Sequence, residues 1–294
     1  MKNFRLLMVL TVSVLVVCTL EPSASAQGQI DATKVLQVQQ VDYVERERRA
    51  SPEVKARIAS LRQDAKSRNR RYTVGYTTAL DVPLEILAGT RIPKDFSVGD
   101  VNKRATELRQ IDVESARIAK VRDLTLAPCS ANATSWDWRK RGKVTPIKSQ
   151  ICGTCWDFTA MGAYEGSYAL RNNQMINTSE QYVLRCAGAG GCAGGWWMPV
   201  FDFMMSNGTA TEAALPFSGV EGSCPTGLSL PYRAVAWGFV APSGQTATIP
   251  TAAQTKQALC DHGPLAVALM ADAPFQAYTG GVFDETDKTF DWIN

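Results

Sequence analysis

Apolar positions recur at helical spacing in the first part of the chain, and the clearest helix starts at Ser51-Pro52-Glu53. A capping hydroxyl, a proline at the first helical position and an acid suit a helix N-terminus. The side chains predicted to share one face of this helix are Val54, Ile58, Leu61 and Ala65. The basic run Arg68–Arg71 closes the helix, because positive charges suit its carbonyl end.

The later part of the chain changes from helical to strand-like patterns. After a strand at Tyr72–Tyr76 and a helix starting at Asp100, the pattern predicts a helix from Cys155 to about Arg171, ended by Asn172 and Asn173. Further helices are predicted to start at Ser179 and to cover Val200–Met205, and strands to cover Tyr232–Val240 and Leu265–Met270. Helices followed by strands favour two unlike subdomains packed together in an α+β fold.

The first 26 residues have the pattern of a secretory signal peptide. Lys2 and Arg5 precede an apolar run from Leu6 to Leu20, and Ala24-Ser25-Ala26 forms a small-residue cleavage site. A lipoprotein signal ending at Cys18 is the alternative, but bulky Val17 precedes that cysteine. No later segment is apolar over the length that crosses a bilayer. We therefore expect a secreted or periplasmic protein without membrane attachment after signal removal.

Composition divides the remaining chain near Cys129. The 31 basic and 28 acidic side chains nearly cancel and form no basic run in the globular part, so nucleic acid is not an expected partner. Residues 27–128 are charged and helix-prone, and they contain no cysteine or tryptophan. All seven tryptophans and every cysteine except Cys18 lie in residues 129–294. The sequence thus predicts a polar helical segment followed by a crosslinked globular domain.

Seven cysteines remain once Cys18 is removed with the signal, namely Cys129, Cys152, Cys155, Cys186, Cys192, Cys224 and Cys260. In an oxidising compartment an odd number indicates three disulfides and one free thiol. Zinc binding by Cys152 and Cys155 is the competing interpretation, but neither a second such pair nor a nearby histidine supports it. We expect no metal site and no cofactor.

The segment from Gln150 to Trp156 carries the candidate chemistry. Cys155 stands at a predicted helix start, and a helix N-terminus favours the thiolate that acts as a nucleophile. The side chain of Gln150 and the amide of Cys155 can supply two N–H donors to the oxyanion that forms when a thiolate attacks a peptide carbonyl. Alternatively, Cys155 is one more bridged or buried cysteine.

The surrounding residues resemble the papain-like cysteine proteases over almost everything after residue 135. The matching segments, in the order of that family, are Trp136–Arg139, Gly142–Lys148, the Cys155 helix, Ser179–Gln181, Cys186, Gly191–Gly195, Gly263–Ala268 and Tyr278–Phe283. The resemblance implies a two-subdomain fold, with a helical left subdomain and a β-barrel-like right subdomain, and hydrolysis of peptide bonds.

The resemblance also assigns roles to individual residues. Cys155 is implied to be the nucleophile and Gln150 the oxyanion donor. The substrate-binding residues that it implies are Gly153, Gly194, Gly195, Trp196, Trp197 and Ala268, with the glycines letting a substrate strand pair with the backbone. Core packing is the alternative role for the two tryptophans. The implied disulfides are Cys152–Cys192 and Cys186–Cys224, which leaves Cys129 and Cys260 for the third.

By position, residues 27–128 are expected to form a pro-region that lies through the cleft and inhibits the enzyme until it is cleaved. The stretch from Tyr72 to Asp81 resembles the part of family propeptides that leads toward the cleft. The spaced Glu-Arg-Phe-Asn signature of such propeptides is not evident. A separate helical binding module is the alternative for this segment.

Three features depart from the family pattern. Thr154 stands where Ser or Ala is usual, and the spacing from Gln150 to Cys155 is one residue shorter than usual. The third departure is the base, since a catalytic thiol needs an imidazole within hydrogen-bonding reach. His262 is the chain's only histidine and stands at a probable helix end, so we expect it to be structural. Trp292-Ile293-Asn294 resembles the approach to the family's His-Ala-Val strand, and we expect the sequence to stop one position before the base.

Two functions follow from these observations. The first is a monomeric cysteine endopeptidase that acts on peptide or protein substrates, is exported as an inactive precursor, and is inactive as given because its His and Asn are missing. The second is a non-catalytic relative that binds peptides or inhibits proteases. Turnover of a peptide by these 294 residues, abolished by Cys155→Ala, would exclude the second.

Overall fold

A computed structural model describes residues 42–91, 129–240, 250–269 and 271–285, together with the backbone of short strands at 11–15, 242–243 and 246–247. The helices in chain order are α1 (Tyr43–Arg48), α2 (Pro52–Ser67), α3 (Leu84–Leu87), α4 (Cys155–Asn172), α5 (Glu180–Cys186), α6 (Trp197–Ser206), α7 (Ala252–His262) and α8 (Ala273–Gln276). The strands are β1 (Thr11–Leu15), β2 (Tyr72–Val74), β3 (Gly190–Gly191), β4 (Gly194–Gly195), β5 (Ala236–Phe239), β6 (Pro242–Ser243), β7 (Thr246–Ala247), β8 (Ala266–Val267) and β9 (Tyr278–Gly281). Short 3-10 turns lie at Thr78–Asp81 and Arg139–Arg141.

Helix α4 lies at the centre of the main hydrophobic core. Its Trp156 and Tyr164 side chains are fully buried against the apolar face of α6, which contributes Val200 and Phe201. Trp237 of β5 completes this core, with its ring centroid 5.8 Å from that of Phe201. Because α4 is surrounded on several sides, its first residue is held in a fixed position relative to the rest of the domain.

Helix α2 begins and ends where the sequence predicts. The Ser51 hydroxyl accepts a hydrogen bond from the amide of Val54, and Ile58 and Ala65 are the buried residues of the predicted face. The helix ends at Ser67, and Asn69 follows in the left-handed conformation at φ 51°. The expectation for the basic run was incomplete, because Arg71 forms an ion pair with Asp284 at 3.0 Å rather than serving the helix end alone.

Strand β2 joins the predicted pro-region to the later part of the chain by strand pairing. It pairs antiparallel with β9, with Tyr72 opposite Gly281 and Val74 opposite Tyr278. A second hydrophobic cluster lies beneath this pairing and consists of Ile58, Ala65, Tyr72, Val74, Leu80 and Ala277. Residues far apart in the sequence thus share one small core, which attaches α2 to the segment that follows α8.

We expect Ile58→Ala to destabilise this attachment by about 2–5 kcal/mol, because it removes a fully buried side chain and leaves a cavity. Urea unfolding followed by circular dichroism measures the change. Val44→Ala is the matched control, since Val44 is 79% exposed and its truncation should change stability by less than about 0.5 kcal/mol. An Ile58→Ala protein as stable as the control would contradict the role given to this cluster.

The predicted strands of the second half are present but shorter than the pattern indicates. Only Ala236–Phe239 of the Tyr232–Val240 run is a strand, because Tyr232 bridges to Thr209 and the amide of Ala234 donates to Met204 at the end of α6. The helix predicted at Val200–Met205 begins three residues earlier, at Trp197. The helix expected to start at Asp100 and the stretch Trp292–Asn294 lie outside the described residues.

Strand β1 occupies the middle of a three-stranded sheet, in the order β5-β1-β8. It pairs antiparallel with both neighbours, Val14 opposite Trp237 and Val12 opposite Ala266. Thr11–Leu15 falls inside the predicted signal peptide, so this sheet belongs to the chain before any such removal. Of the described helices, none is long and apolar enough to span a bilayer.

Candidate active site

Cys155 is the first residue of α4 and carries a free, half-buried thiol. The other described cysteines form disulfides that join the same pairs as the resemblance implies, Cys129–Cys260, Cys152–Cys192 and Cys186–Cys224. The predicted helix and its end are confirmed, since α4 extends from Cys155 to Asn172 and Asn173 follows in the left-handed conformation. The structure therefore presents one thiol at a helix N-terminus, as a thiolate nucleophile requires.

The loop before Cys155 is fixed against the glycine-rich turn of β3 and β4. The Cys152–Cys192 disulfide joins the two, and the amide of Gly153 donates to the carbonyl of Cys192 at 2.9 Å. The indole of Trp156 donates to the carbonyl of Gly191 at 3.2 Å. These contacts set the distance between the thiol and the backbone of β4.

Gln150 binds a peptide carbonyl of the segment that also contacts the thiol through Thr90. Its side-chain Nε2 donates to the carbonyl of Leu87 at 2.9 Å and to the carbonyl of Cys152 at 3.1 Å. Leu87 belongs to the predicted pro-region, so the amide group that was expected to serve as the oxyanion donor here binds a carbonyl of the chain itself. The shorter spacing between Gln150 and Cys155 therefore does not prevent the side chain from reaching a carbonyl in the cleft.

The segment Leu87–Arg91 lies across the cleft and was not identified from the sequence. The amide of Gly195 donates to the carbonyl of Gly89, and the amide of Arg91 donates to the carbonyl of Gly195, each at 2.8 Å. Thr90 forms a parallel bridge with Gly195, and its hydroxyl lies 3.5 Å from the Cys155 sulfur. The signal in the sequence was small, consisting of Gly89 and Thr90 shortly after the leucine-rich stretch Leu84–Leu87.

Gly89 permits this close approach because it has no side chain. A Cβ atom there would overlap the carbonyl of Gly153, and a Cβ atom at Gly153 would lie 2.9 Å from the carbonyl of Ile86. The two glycines thus face each other, one from the pro-region and one from the loop before the nucleophile. Substitution of either would force the two backbones apart.

The two tryptophans predicted to line a subsite follow directly after β4. Trp196 and Trp197 are 3% and 1% exposed, and both belong to the main hydrophobic core. Their rings contact each other at 3.8 Å between centroids. Both residues thus take part in core packing, which was the alternative interpretation, and their role at a subsite stays a prediction. Gly194 is half-buried with φ 119°, and Ala268 is half-buried at the edge of the core.

His262 is the last residue of α7 and lies far from the thiol. The next residue, Gly263, approaches the backbone of Gly166, where an added Cβ would be 3.4 Å from the Gly166 carbonyl. Gly166 follows Cys155 by eleven residues of α4, which corresponds to about 16 Å along the helix. His262 is therefore too far from Cys155 to act as its base, which agrees with the structural role expected for it.

A buried polar network supports α4 on the side away from the cleft. The carboxylate of Glu165 accepts hydrogen bonds from the amide of Thr178 at 2.7 Å, from the Thr145 hydroxyl and from Lys148 at 3.1 Å. Lys148 also donates to both carboxylate oxygens of Glu180, at 2.7 and 2.8 Å. Burial opposes the charge of Lys148, but attraction to Glu165 and Glu180 raises the pKa of the ammonium above its ordinary value.

Two acids of this network titrate far from their ordinary range. Burial raises the pKa of Glu180 to about 7, although Lys148 acts in the opposite direction. Burial, together with the nearby charge of Glu180, raises the pKa of Asp157 well above its usual value. Asp157 lies in the first turn of α4, two residues after Cys155, and no local pattern predicted its burial.

A search of the described ranges for groups of three or more His, Cys, Asp or Glu side chains able to hold a metal ion finds none. Cys152 in particular is engaged in a disulfide and is not available to a metal. The chemical capacity of the site thus rests on one thiol, the Gln150 amide and the peptide groups around them.

With the fold and the site described, comparison with known proteins gives the family. Residues 132–292 match the family described as "Papain family cysteine protease". Because the match covers more than half of the chain, the chain belongs to the papain family of cysteine proteases. It is similar to digestive cysteine proteinase 2 of the lobster Homarus americanus, with 38% identity over 161 residues, 52% of this chain and 47% of the lobster protein. It is also similar to stem bromelain of Ananas comosus, with 38% identity over 152 residues, 51% of this chain and 68% of bromelain.

Solved precursor structures resemble the chain over a longer range. A recombinant stem bromelain precursor matches with a TM-score of 0.52 and 25% identity, covering 86% of this chain and 76% of the precursor. Digestive procathepsin L2 proteinase from Tenebrio molitor matches with a TM-score of 0.54 and 23% identity, covering 89% and 76%, and this likeness concerns the fold. The predicted papain-like α+β fold is therefore confirmed. The chain spans about half the length of the lobster relative.

Proposed function

We propose that this protein is a cysteine-type endopeptidase that forms an acyl-enzyme through Cys155 and is exported as an inactive precursor. The observation that carries the proposal is the cleft itself, where the Gln150 amide binds a peptide carbonyl 2.9 Å away and Thr90 covers the thiol. A peptide carbonyl held by an amide donor beside a free thiol is the arrangement that acyl transfer needs. The residues proposed to contact substrate are Gly153, Gly194, Gly195 and Ala268.

The substrate class follows from the way the cleft binds its own chain. Gly195 uses its amide and carbonyl to pair with Gly89 and Arg91, both at 2.8 Å, and such main-chain pairing accepts any extended peptide. A peptide or protein substrate would therefore compete with the segment Leu87–Arg91. Residues 27–128 are accordingly proposed as the inhibitory pro-region, residues 1–26 as the signal peptide and residues 129–294 as the peptidase domain. Localisation is proposed to be secreted or periplasmic, the enzyme monomeric, and no cofactor is required.

The second candidate is a non-catalytic relative that binds peptides or inhibits proteases. The observation that favours it is the position of His262, about 16 Å along α4 from the thiol. A thiol without an imidazole and an orienting group loses several orders of magnitude in rate. We therefore propose that the 294 residues are inactive as given, because their one histidine lies out of reach of the thiol.

A hydrolysis assay distinguishes the two candidates. We expect no turnover of a fluorogenic peptide by the 294-residue chain, and turnover, after release of the pro-region, by a fusion that adds the histidine-bearing strand and the asparagine segment of a papain-family protease. Peptide binding without turnover by that fusion would favour the non-catalytic relative. Turnover by the 294-residue chain that is lost in His262→Ala would overturn the assignment of His262 as structural.

A further inference from the structure

Asp157 is the most unusual side chain of the helical subdomain. It is fully buried in the first turn of α4, and neither carboxyl oxygen has a hydrogen-bond partner among the described residues. An unpartnered buried carboxylate is costly, since burial in a low-dielectric environment disfavours the charged form. The group is therefore held as a neutral acid where an apolar side chain would fit the core without cost.

The side chain cannot serve as the base for Cys155. Residues two apart on a helix lie on nearly opposite faces, so Asp157 is directed away from the thiol that starts the same turn. Its burial is consistent with this direction, because Cys155 is only half-buried and faces the cleft. Asp157 therefore acts on the core beneath the cleft and not on the thiol.

The charged groups that act on Asp157 come from three separate segments of the chain. Glu180 at the start of α5, Lys148 in the preceding loop and Glu212 in the loop after α6 all act on it electrostatically. The last loop is brought close by the edge-to-face contact of Phe158 with Phe217, at 4.8 Å between centroids.

In this cluster the positive charge of Lys148 is too small to balance the carboxylates around it. Lys148 is bonded to both Glu165 and Glu180, so its single charge is already shared by two buried acids. Glu212 accepts a hydrogen bond from the amide of Phe217 at 2.8 Å, and its second oxygen is buried without a partner in the described part of the chain. Four acids thus face one ammonium group, and full ionisation would leave a buried excess of negative charge.

We propose that Asp157, Glu180 and Glu212, together with Lys148, form a proton-binding core that stabilises the start of α4 in mildly acidic solution and loosens it as the pH rises through neutrality. The first turn of α4 positions Cys155, so this core links the order of the nucleophile's helix to pH. The device is separate from the hydrolytic activity proposed above and can be measured whether or not the chain is catalytic.

Stability is expected to fall as the pH rises because the pKa values of Glu180 and Asp157 are raised in the folded protein. Glu180 in the folded protein has a pKa of about 7, above that of an unfolded glutamate, so the folded state holds a proton that the unfolded state has lost. Its stabilising effect is complete below the unfolded value near pH 4.5 and is lost as the pH rises through about 7. Asp157, raised in the same direction, adds to the decline from the unfolded value of about 3.8 upward.

Urea unfolding at pH 5, 6, 7 and 8 of the full chain tests the proposal with Asp157→Asn, which removes the titration at nearly constant size. Each proton held only by the folded state raises the unfolding equilibrium constant by up to about tenfold per pH unit. We expect the unfolding equilibrium constant of the wild type to rise more steeply with pH between pH 5 and pH 7 than that of Asp157→Asn, by up to about tenfold per pH unit. Asp261→Asn is the matched control, because this acid is exposed on α7 and should leave the slope unchanged.

Asp157→Ser provides a second variant if the amide is not accommodated, and hydrogen exchange locates the effect. After correction for intrinsic rates, amides of residues 155–165 should exchange faster at pH 8 than at pH 6 in the wild type, and this difference should shrink in either variant. Amides of α2 should show no such difference. Equal slopes in the wild type and in whichever variant folds, or a pH effect spread evenly over the protein, would overturn the proposal.

Discussion

Cys155→Ala is expected to lower kcat/KM for peptide hydrolysis by about 10⁴-fold or more in a protein that carries this domain together with its expected histidine. Cys155 is the only free cysteine among the described residues, and it stands at the start of α4. Without the thiol no acyl-enzyme can form, so only binding and carbonyl polarisation would contribute to the rate. Initial rates with a fluorogenic peptide, after release of the pro-region, measure the loss.

The control for this experiment must separate chemistry from folding. Cys155→Ser keeps nearly the same shape and should also lose activity, because a hydroxyl lacks the acidity that makes the thiol a nucleophile at neutral pH. Both variants should keep the melting temperature of the parent within a few degrees, since the side chain is half-buried and makes only a 3.5 Å contact with Thr90. Retention of more than about a hundredth of the activity in either variant would remove Cys155 from the mechanism.

Gly89→Val is expected to expose the thiol in the full chain by displacing the segment that covers it. A Cβ atom at this position would overlap the carbonyl of Gly153, so the Leu87–Arg91 segment could not lie across the cleft. Three hydrogen bonds, from Gln150 to Leu87, from Gly195 to Gly89 and from Arg91 to Gly195, would be lost. At about 1 kcal/mol each, their loss predicts roughly a 10²-fold faster alkylation of Cys155.

Iodoacetamide labelling of the Cys155 peptide, followed by mass spectrometry, measures this change. Ala88→Val is the matched control, because Ala88 is the neighbouring residue and its side chain is exposed. The control should label at the wild-type rate, which shows that added volume alone does not open the cleft. Equal labelling of wild type and Gly89→Val would mean that the segment does not protect the thiol.

Local patterns in the sequence predicted much of the secondary structure because each signal concerns neighbouring residues. The Ser51 cap, the apolar face with Ile58 and the end of α4 at Asn173 depend on helix geometry within one or two turns. Strand lengths were less predictable, since Tyr232 and Ala234 hydrogen-bond to residues at the end of α6 rather than to a sheet. Which partner a backbone group finds is a property of the assembled chain.

The candidate site was also predictable from the sequence only in part. The order of motifs around Gln150 and Cys155 predicted the family, which the match over residues 132–292 confirms. The roles assigned to Gln150, Gly153, Gly194, Gly195, Trp196 and Trp197 stay predictions, and the structure adds that both tryptophan rings are buried in the core. The burial of these rings depends on where α6 packs against α4, and the Gly-Gly-Trp-Trp pattern by itself does not specify that packing.

The sequence by itself therefore predicted the papain family and a reactive centre between Gln150 and Cys155, because the candidate nucleophile, the candidate donor and the helix start are close in sequence. It also determined that His262 is the only imidazole in the chain. Only the tertiary structure decided that Thr90 covers the thiol, that Gly89 faces Gly153 and that Asp157 is buried without a partner among the described residues. These are contacts between segments distant in sequence, and packing rather than local pattern fixes which of them form.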